Sequence, residues 1–203
     1  FENTGEYPEG VLPMCYPSEV QDDGKFIPQW TMWYILEVED YINHRGHDAD
    51  GEKFRKTVYG LLDFYSRYEN ADGLLEKLPS WNFVEWSRAN GWTQDVNYPT
   101  NFLYAEVLRC AGRLYGDRAA GEKAERVARE AVRQSFDGRA FLDHAVRENG
   151  KLTRCGDCSE AGQYYAILFG GIDMHAPEYA GLRQLVLHTF RADRTELLEE
   201  IAP

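Results

Sequence analysis

No stretch of about 18 apolar residues occurs anywhere in the 203-residue sequence, so a membrane-spanning helix is not expected. Basic residues are also scarce. The 22 Lys and Arg face 34 Asp and Glu, a net charge of −12, and a field of that sign repels phosphate backbones and anionic headgroups. Nucleic acid and membrane surfaces are therefore excluded as partners. Cysteine is sparse as well: Cys15, Cys110, Cys155 and Cys158 are too few to staple a chain of this size as a disulfide scaffold. The opening Phe1-Glu2-Asn3-Thr4 has neither the basic start nor the apolar stretch of a signal peptide, and no Met precedes it. The expectation is a soluble chain, processed or taken from a longer protein. What is abundant is apolar and aromatic side chain. A hydrophobic content of 43% supplies a core for one domain over residues 1–203, and 13 Tyr, 10 Phe and 5 Trp gather in places, Trp30 with Trp33 and Trp81 with Trp86 and Trp92.

Helical periodicity dominates. Trp30, Trp33, Tyr34, Val38, Tyr41 and Ile42 predict a first helix over 28–43, with Pro28 suited to its first turn. Phe54, Val58, Leu61, Leu62, Tyr65 and Tyr68 predict a second, stopped by Asn70-Ala71-Asp72-Gly73. A third follows over about 100–115. A fourth, over 118–136, carries Ala124, Val127, Ala128, Ala131 and Val132 on one stripe and Glu/Arg pairs on the other face. Asn149-Gly150 between short apolar patches predicts a β-hairpin near 138–155. Ser159 is a good N-cap for a fifth helix ending at Gly170-Gly171; a sixth runs from Pro177 to about Phe190, and a short last one covers Thr195 to Ile201. The fold class is all-α, three antiparallel helical hairpins with a small β excursion.

The links inside each hairpin are short, whereas those before the odd helices, roughly 1–27, 71–99 and 137–158, are long and aromatic. Because helices in successive hairpins alternate direction, the three long links emerge at one end, the end where odd helices start. Long links gathered on one face carry sites. That face holds Asp22, Asp23 and Trp30, then Trp81, Glu85, Trp86, Trp92 and Asp95, then Asp143, His144, Asp157 and Glu160. Carboxylates among tryptophans suit a sugar, whose C–H face packs on indole and whose hydroxyls hydrogen-bond acids. Each residue also has a plain structural role open to it: Trp30 and Trp33 as core, Asp157 as a helix cap, Asp95 and Asp22-Asp23-Gly24 as turns, His144 as a hairpin residue. The run Trp81-Asn82-Phe83-Val84-Glu85-Trp86 is harder to read as structure alone, since a loop gains little by displaying so much apolar area. Cys155-Gly156-Asp157-Cys158 fits half a zinc site or a redox pair, but no second Cys pair or His-x-His lies near it in sequence, and no metal or cofactor is expected.

The segments Gln29-Trp30-Thr31-Met32-Trp33-Tyr34, Leu61-Leu62-Asp63-Phe64-Tyr65, Asp72-Gly73-Leu74-Leu75 and Ser80-Trp81-Asn82-Phe83-Val84-Glu85-Trp86-Ser87 resemble the catalytic domain of bacterial α-L-rhamnosidases. The resemblance spans about residues 1–175 and is strongest over 20–110. It implies half of a six-hairpin α/α barrel and an inverting glycoside hydrolase that needs no cofactor. It also places Pro28-Gln29-Trp30 at the start of an inner helix and Val84-Glu85-Trp86 at the position of a Gly-Asp-Trp-like sugar-pocket element, with Glu in place of Asp. The sugar contacts implied are Trp30, Glu85 and Trp86, with Trp92 and Asp95 behind them. The family's acid segment, Asp-Cys-Pro-x-Arg-x-Glu-like, has no match in residues 1–28, and its Thr-x-Trp-Glu-like base segment has none near the C-terminus. The expectation is thus a middle portion of a larger hydrolase, with the catalytic residues unassigned. Half a barrel would leave inner aromatic helices uncovered and favour homo-oligomers through that face. Two alternatives remain: another α/α-barrel carbohydrate enzyme, a lyase or epimerase using His144 or His175, and a non-enzymatic helical-repeat module, disfavoured by uneven helix spacing.

Overall fold

The computed structural model describes residues 7–14, 25–45 and 48–189. Asp22, Asp23, Cys15 and the expected helix over 195–201 lie outside them. The chain is mainly helical: α1 (Pro28–Arg45), α2 (Asp48–Ser66), α3 (Tyr98–Tyr115), α4 (Arg118–Ser135), α5 (Glu160–Phe169) and α6 (Ala180–Gln184). Strands β1 (Val96–Asn97), β2 (His144–Glu148) and β3 (Lys151–Arg154) form one antiparallel sheet in the order β1-β2-β3. Among the described residues no helix is long and apolar enough to cross a membrane.

The helices form where their periodic apolar residues permit and stop where capping chemistry ends them. Asn97 accepts from Thr100 N to start α3, Gly116 in the left-handed conformation ends it, and Asp117 accepts from Ala120 N to start α4. Of the predicted α4 stripe, Ala124, Val127, Ala128 and Ala131 are buried and Val132 is half-buried, with Ala120 buried as well, and the helix packs on α3. Helix α3 is itself buried on nearly every side from Tyr98 to Ala111. It contacts α1 on one flank and α5 on the other, so the odd helices form an inner layer, with α2 and α4 outside it.

Two expectations change. The sixth helix is a composite: a 3₁₀ turn at Pro177–Tyr179, five residues of α6, and a π turn at Leu185–Thr189. The hairpin gains a third strand, because Val96 pairs with Ala145 and Asn97 with His144. A two-residue strand is too short to show a period. The turn itself is as the Asn-Gly pair predicts: Asn149 and Gly150 both take positive φ, 50° and 81°, the geometry whose twist matches paired strands.

Candidate functional site

The three long links meet at the starts of α1, α3 and α5, joined by direct bonds. Trp81 N donates to Phe26 O at 3.2 Å, Tyr98 N to Asp143 O at 2.8 Å, and Asp143 N to Asp157 O at 2.9 Å. At their centre is Gln29, only 2% exposed. Its amide nitrogen donates to Asn82 Oδ1 and Thr100 Oγ1, each at 3.0 Å, and its oxygen accepts from Phe83 N at 3.0 Å. One buried side chain therefore binds α1, the second link and α3 together.

That attachment leaves the segment 81–86 arched over the rim. Asn90 holds its far side, accepting from Val84 N at 2.8 Å and donating to Glu85 O. Phe83 is buried and forms a floor against which three indoles lean: Trp30 at 6.1 Å, Trp81 at 5.9 Å and Trp86 at 4.7 Å, all edge-on. The indoles themselves face solvent, Trp86 being 63% exposed. Glu85 sits beside them, and its Oε1 is buried with no hydrogen-bond partner among the described residues. An acceptor left in that state costs free energy until a donor reaches it. The phenol of Tyr165 on α5 is raised by burial, lowered by its bond with Trp33 and raised again by the Glu85 charge, which puts the acid within electrostatic reach of α5. Trp33 touches Tyr165 and Phe169 at 6.2 and 5.9 Å, closing the inner layer across α3.

The five residues expected to touch sugar divide into groups. Trp30, Glu85 and Trp86 stand together around Phe83. Asp95 instead lines an open cleft of about 480 Å³ behind the arch, with Lys77, Trp81, Asn82 and Thr93. Its carboxylate accepts from Arg147 N at 2.8 Å and faces Lys77 Nζ at 3.6 Å, and its φ of 51° marks a tight turn. Asp95 thus latches the hairpin to the second link. Trp92 stacks in parallel on His144, with ring centroids 6.0 Å apart.

The acids of the third link are mostly engaged in structure. Asp143 is fully buried and accepts from Ser159 N at 2.8 Å and Ser159 Oγ at 2.5 Å; burial pushes its carboxyl up to about 7. Ser159, and not Asp157, caps α5, accepting from Gly162 N. Asp157 bonds His144 Nε2 at 2.7 Å, and Glu160 accepts from Tyr164 OH at 2.5 Å. The bonding roles of Gln29 and Asn90 have no local pattern in the sequence. The available signal was their type, since a polar residue at the first turn of an apolar helix or inside an aromatic loop needs a partner.

No family model and no curated protein matches the chain. Solved structures do. A GH78 family rhamnosidase of Bacillus sp. GL1 superposes with a TM-score of 0.71 at 21% identity, over 88% of this chain and 18% of that one. A rhamnosidase from Klebsiella oxytoca with rhamnose bound superposes with a TM-score of 0.59 at 12% identity, over 78% of this chain and 31% of that one. The chain has the fold of part of each of these proteins and spans less than a third of either.

Proposed function

We propose that this chain supplies the sugar-contacting rim of an inverting glycoside hydrolase that removes terminal α-L-rhamnosyl or related deoxy-sugar residues. The observation that carries the reading is the Glu85 carboxylate, with a buried oxygen lacking a partner among the described residues, set beside the exposed indoles of Trp30, Trp81 and Trp86. A pyranose supplies what both lack: a C–H face to cover indole and a hydroxyl donor for the acid. Likeness in fold to two rhamnosidases supports the same sugar class.

Inversion requires a carboxylic acid to protonate the leaving oxygen and a carboxylate, about 6.5–9.5 Å away, to activate water on the opposite ring face. In this reading Glu85, Trp30 and Trp86 bind and orient the ring, while the acid/base pair comes from sequence outside these 203 residues. The uncovered side of the inner layer, where Trp33 and Leu168 are exposed, is then where further helices or a second copy pack.

The reading is tested by release of an aryl alcohol from an aryl α-L-rhamnoside, using this chain and a form extended in both directions. Turnover by the extended form alone is expected. Turnover by neither removes the proposal.

A further inference from the structure

The Cys155-Gly156-Asp157-Cys158 segment lacks, in sequence, the further ligands a metal site needs; the fold brings one from across the hairpin. The two-residue Asn149-Gly150 turn sets the register of β2 and β3, in which Ala145 faces Arg154. One step further, His144 faces Cys155, whose N–H donates to His144 O at 3.1 Å. The bond from Asp143 N to Asp157 O then carries Asp157 alongside. As a result His144, Cys155 and Asp157 offer one nitrogen, one sulfur and one carboxylate oxygen, all within 4.8 Å of one another.

From this convergence we propose that His144, Cys155 and Asp157 bind a divalent cation of the Zn²⁺ class, with water in the fourth position. The donor set selects the ion. Mg²⁺ and Ca²⁺ take oxygen ligands and iron–sulfur clusters take cysteines, whereas imidazole, thiolate and carboxylate together suit Zn²⁺ or Co²⁺. Tetrahedral coordination at about 2.0–2.3 Å spaces the donors about 3.3–3.8 Å apart. The His144 Nε2 to Asp157 Oδ2 contact, now 2.7 Å, must therefore open by roughly 0.6 Å for the ion to enter between them. Asp157, 43% exposed, is free to make that adjustment, while the His144 ring, 10% exposed, is held in place by its stack on Trp92. On binding, the Cys155 thiol releases its proton to solvent, a sulfur–metal bond forms, and no electrons are transferred.

A second cluster provides the contrast. Glu39, Glu106 and Cys110 also converge, but Arg113 already occupies that position, donating to Glu39 at 2.6 Å through two nitrogens and to Glu106 at 2.7 Å. A guanidinium there does what a cation would do. In the hairpin cluster the corresponding contact is a single His–Asp bond, which an ion can replace.

The experiment is a titration of the full chain with Co²⁺, followed by thiolate-to-cobalt charge-transfer absorption and by displacement with Zn²⁺. A one-to-one band that Zn²⁺ removes is expected. Cys155→Ser should abolish the band with the far-ultraviolet circular dichroism unchanged, His144→Gln should weaken binding by more than about 10-fold, and Cys158→Ser should leave the stoichiometry intact. Absence of a band in the unaltered chain, or a band that survives Cys155→Ser, overturns the proposal. The readout involves no glycoside, so it stands or falls apart from the functional reading above.

Discussion

At the residue scale, two side chains on the rim separate binding from folding. Trp86 is 63% exposed and leans edge-on against Phe83 and the likewise exposed Trp81, so removing it takes little from the core. Trp86→Ala should lower affinity for L-rhamnose by about 10-fold, the 1.4 kcal/mol of a good ring contact, while changing stability by less than about 1 kcal/mol. Quenching of tryptophan fluorescence by the sugar and urea denaturation measure the two quantities. Gln29 is the opposite case. Gln29→Leu keeps the volume but leaves Phe83 N–H without its acceptor and Asn82 and Thr100 without their donor. Buried polar groups in that state cost about 1–3 kcal/mol each, so a loss of about 3 kcal/mol in urea denaturation is expected. Trp86 was legible in the sequence because so much apolar area in a loop is conspicuous. Gln29 was not, because its three partners lie 53 to 71 residues away and no local pattern announces them.

At the scale of elements, the second link is fastened to the hairpin by a half-buried ion pair. Arg147 on β2 donates to Glu76 through Nε at 2.5 Å and Nη2 at 2.7 Å, and Asn70 adds a bond at 2.9 Å; the Glu76 side chain is 9% exposed. The Arg147 bonds hold the Glu76 carboxyl below its ordinary value of 4.5. In acid the unfolded chain therefore takes up this proton before the folded one. The pair's contribution is complete above the ordinary value and is lost as pH falls through the lowered one. Glu76→Gln should cost about 2 kcal/mol at pH 7, and the gap to the unaltered protein should narrow steadily below about pH 4.5. Denaturation at pH 7 and pH 3 checks it; a gap unchanged between them counts against the assignment. Helices α1 to α5 could be read from sequence because each repeats its apolar residues over ten or more positions. Strand β1 and the composite sixth helix could not, being two residues long in one case and broken into turns in the other. The pairing of His144 with Cys155 was in principle readable, since a two-residue Asn-Gly turn sets every facing pair beyond it.

At the scale of the whole molecule, the inner layer is covered only in part. Helix α3 is enclosed, yet α1 presents Trp30, Trp33 and Tyr41 along one stripe at 39%, 36% and 41% exposure, and α5 presents Leu168 at 68%. Contact of Trp33 with Tyr165 and Phe169 brings α1 and α5 together on this side, while Tyr41 leans on Phe54 of α2. Fully burying one such side chain contributes about 1.5–3 kcal/mol, and these are half buried already. A two-fold pair using all four from each copy thus gains on the order of 6–12 kcal/mol, against an association cost of about 4–15 kcal/mol. The two nearly balance, and the net charge of −12 on each copy opposes approach. The isolated chain should therefore dimerise at most weakly, and more strongly as added salt screens the repulsion. Sedimentation velocity over a concentration series should show this, and Leu168→Glu, which places an acid on an exposed position of the shared face, should return the chain to monomer. A monomer at every concentration and salt level would count against this face as a surface of self-association.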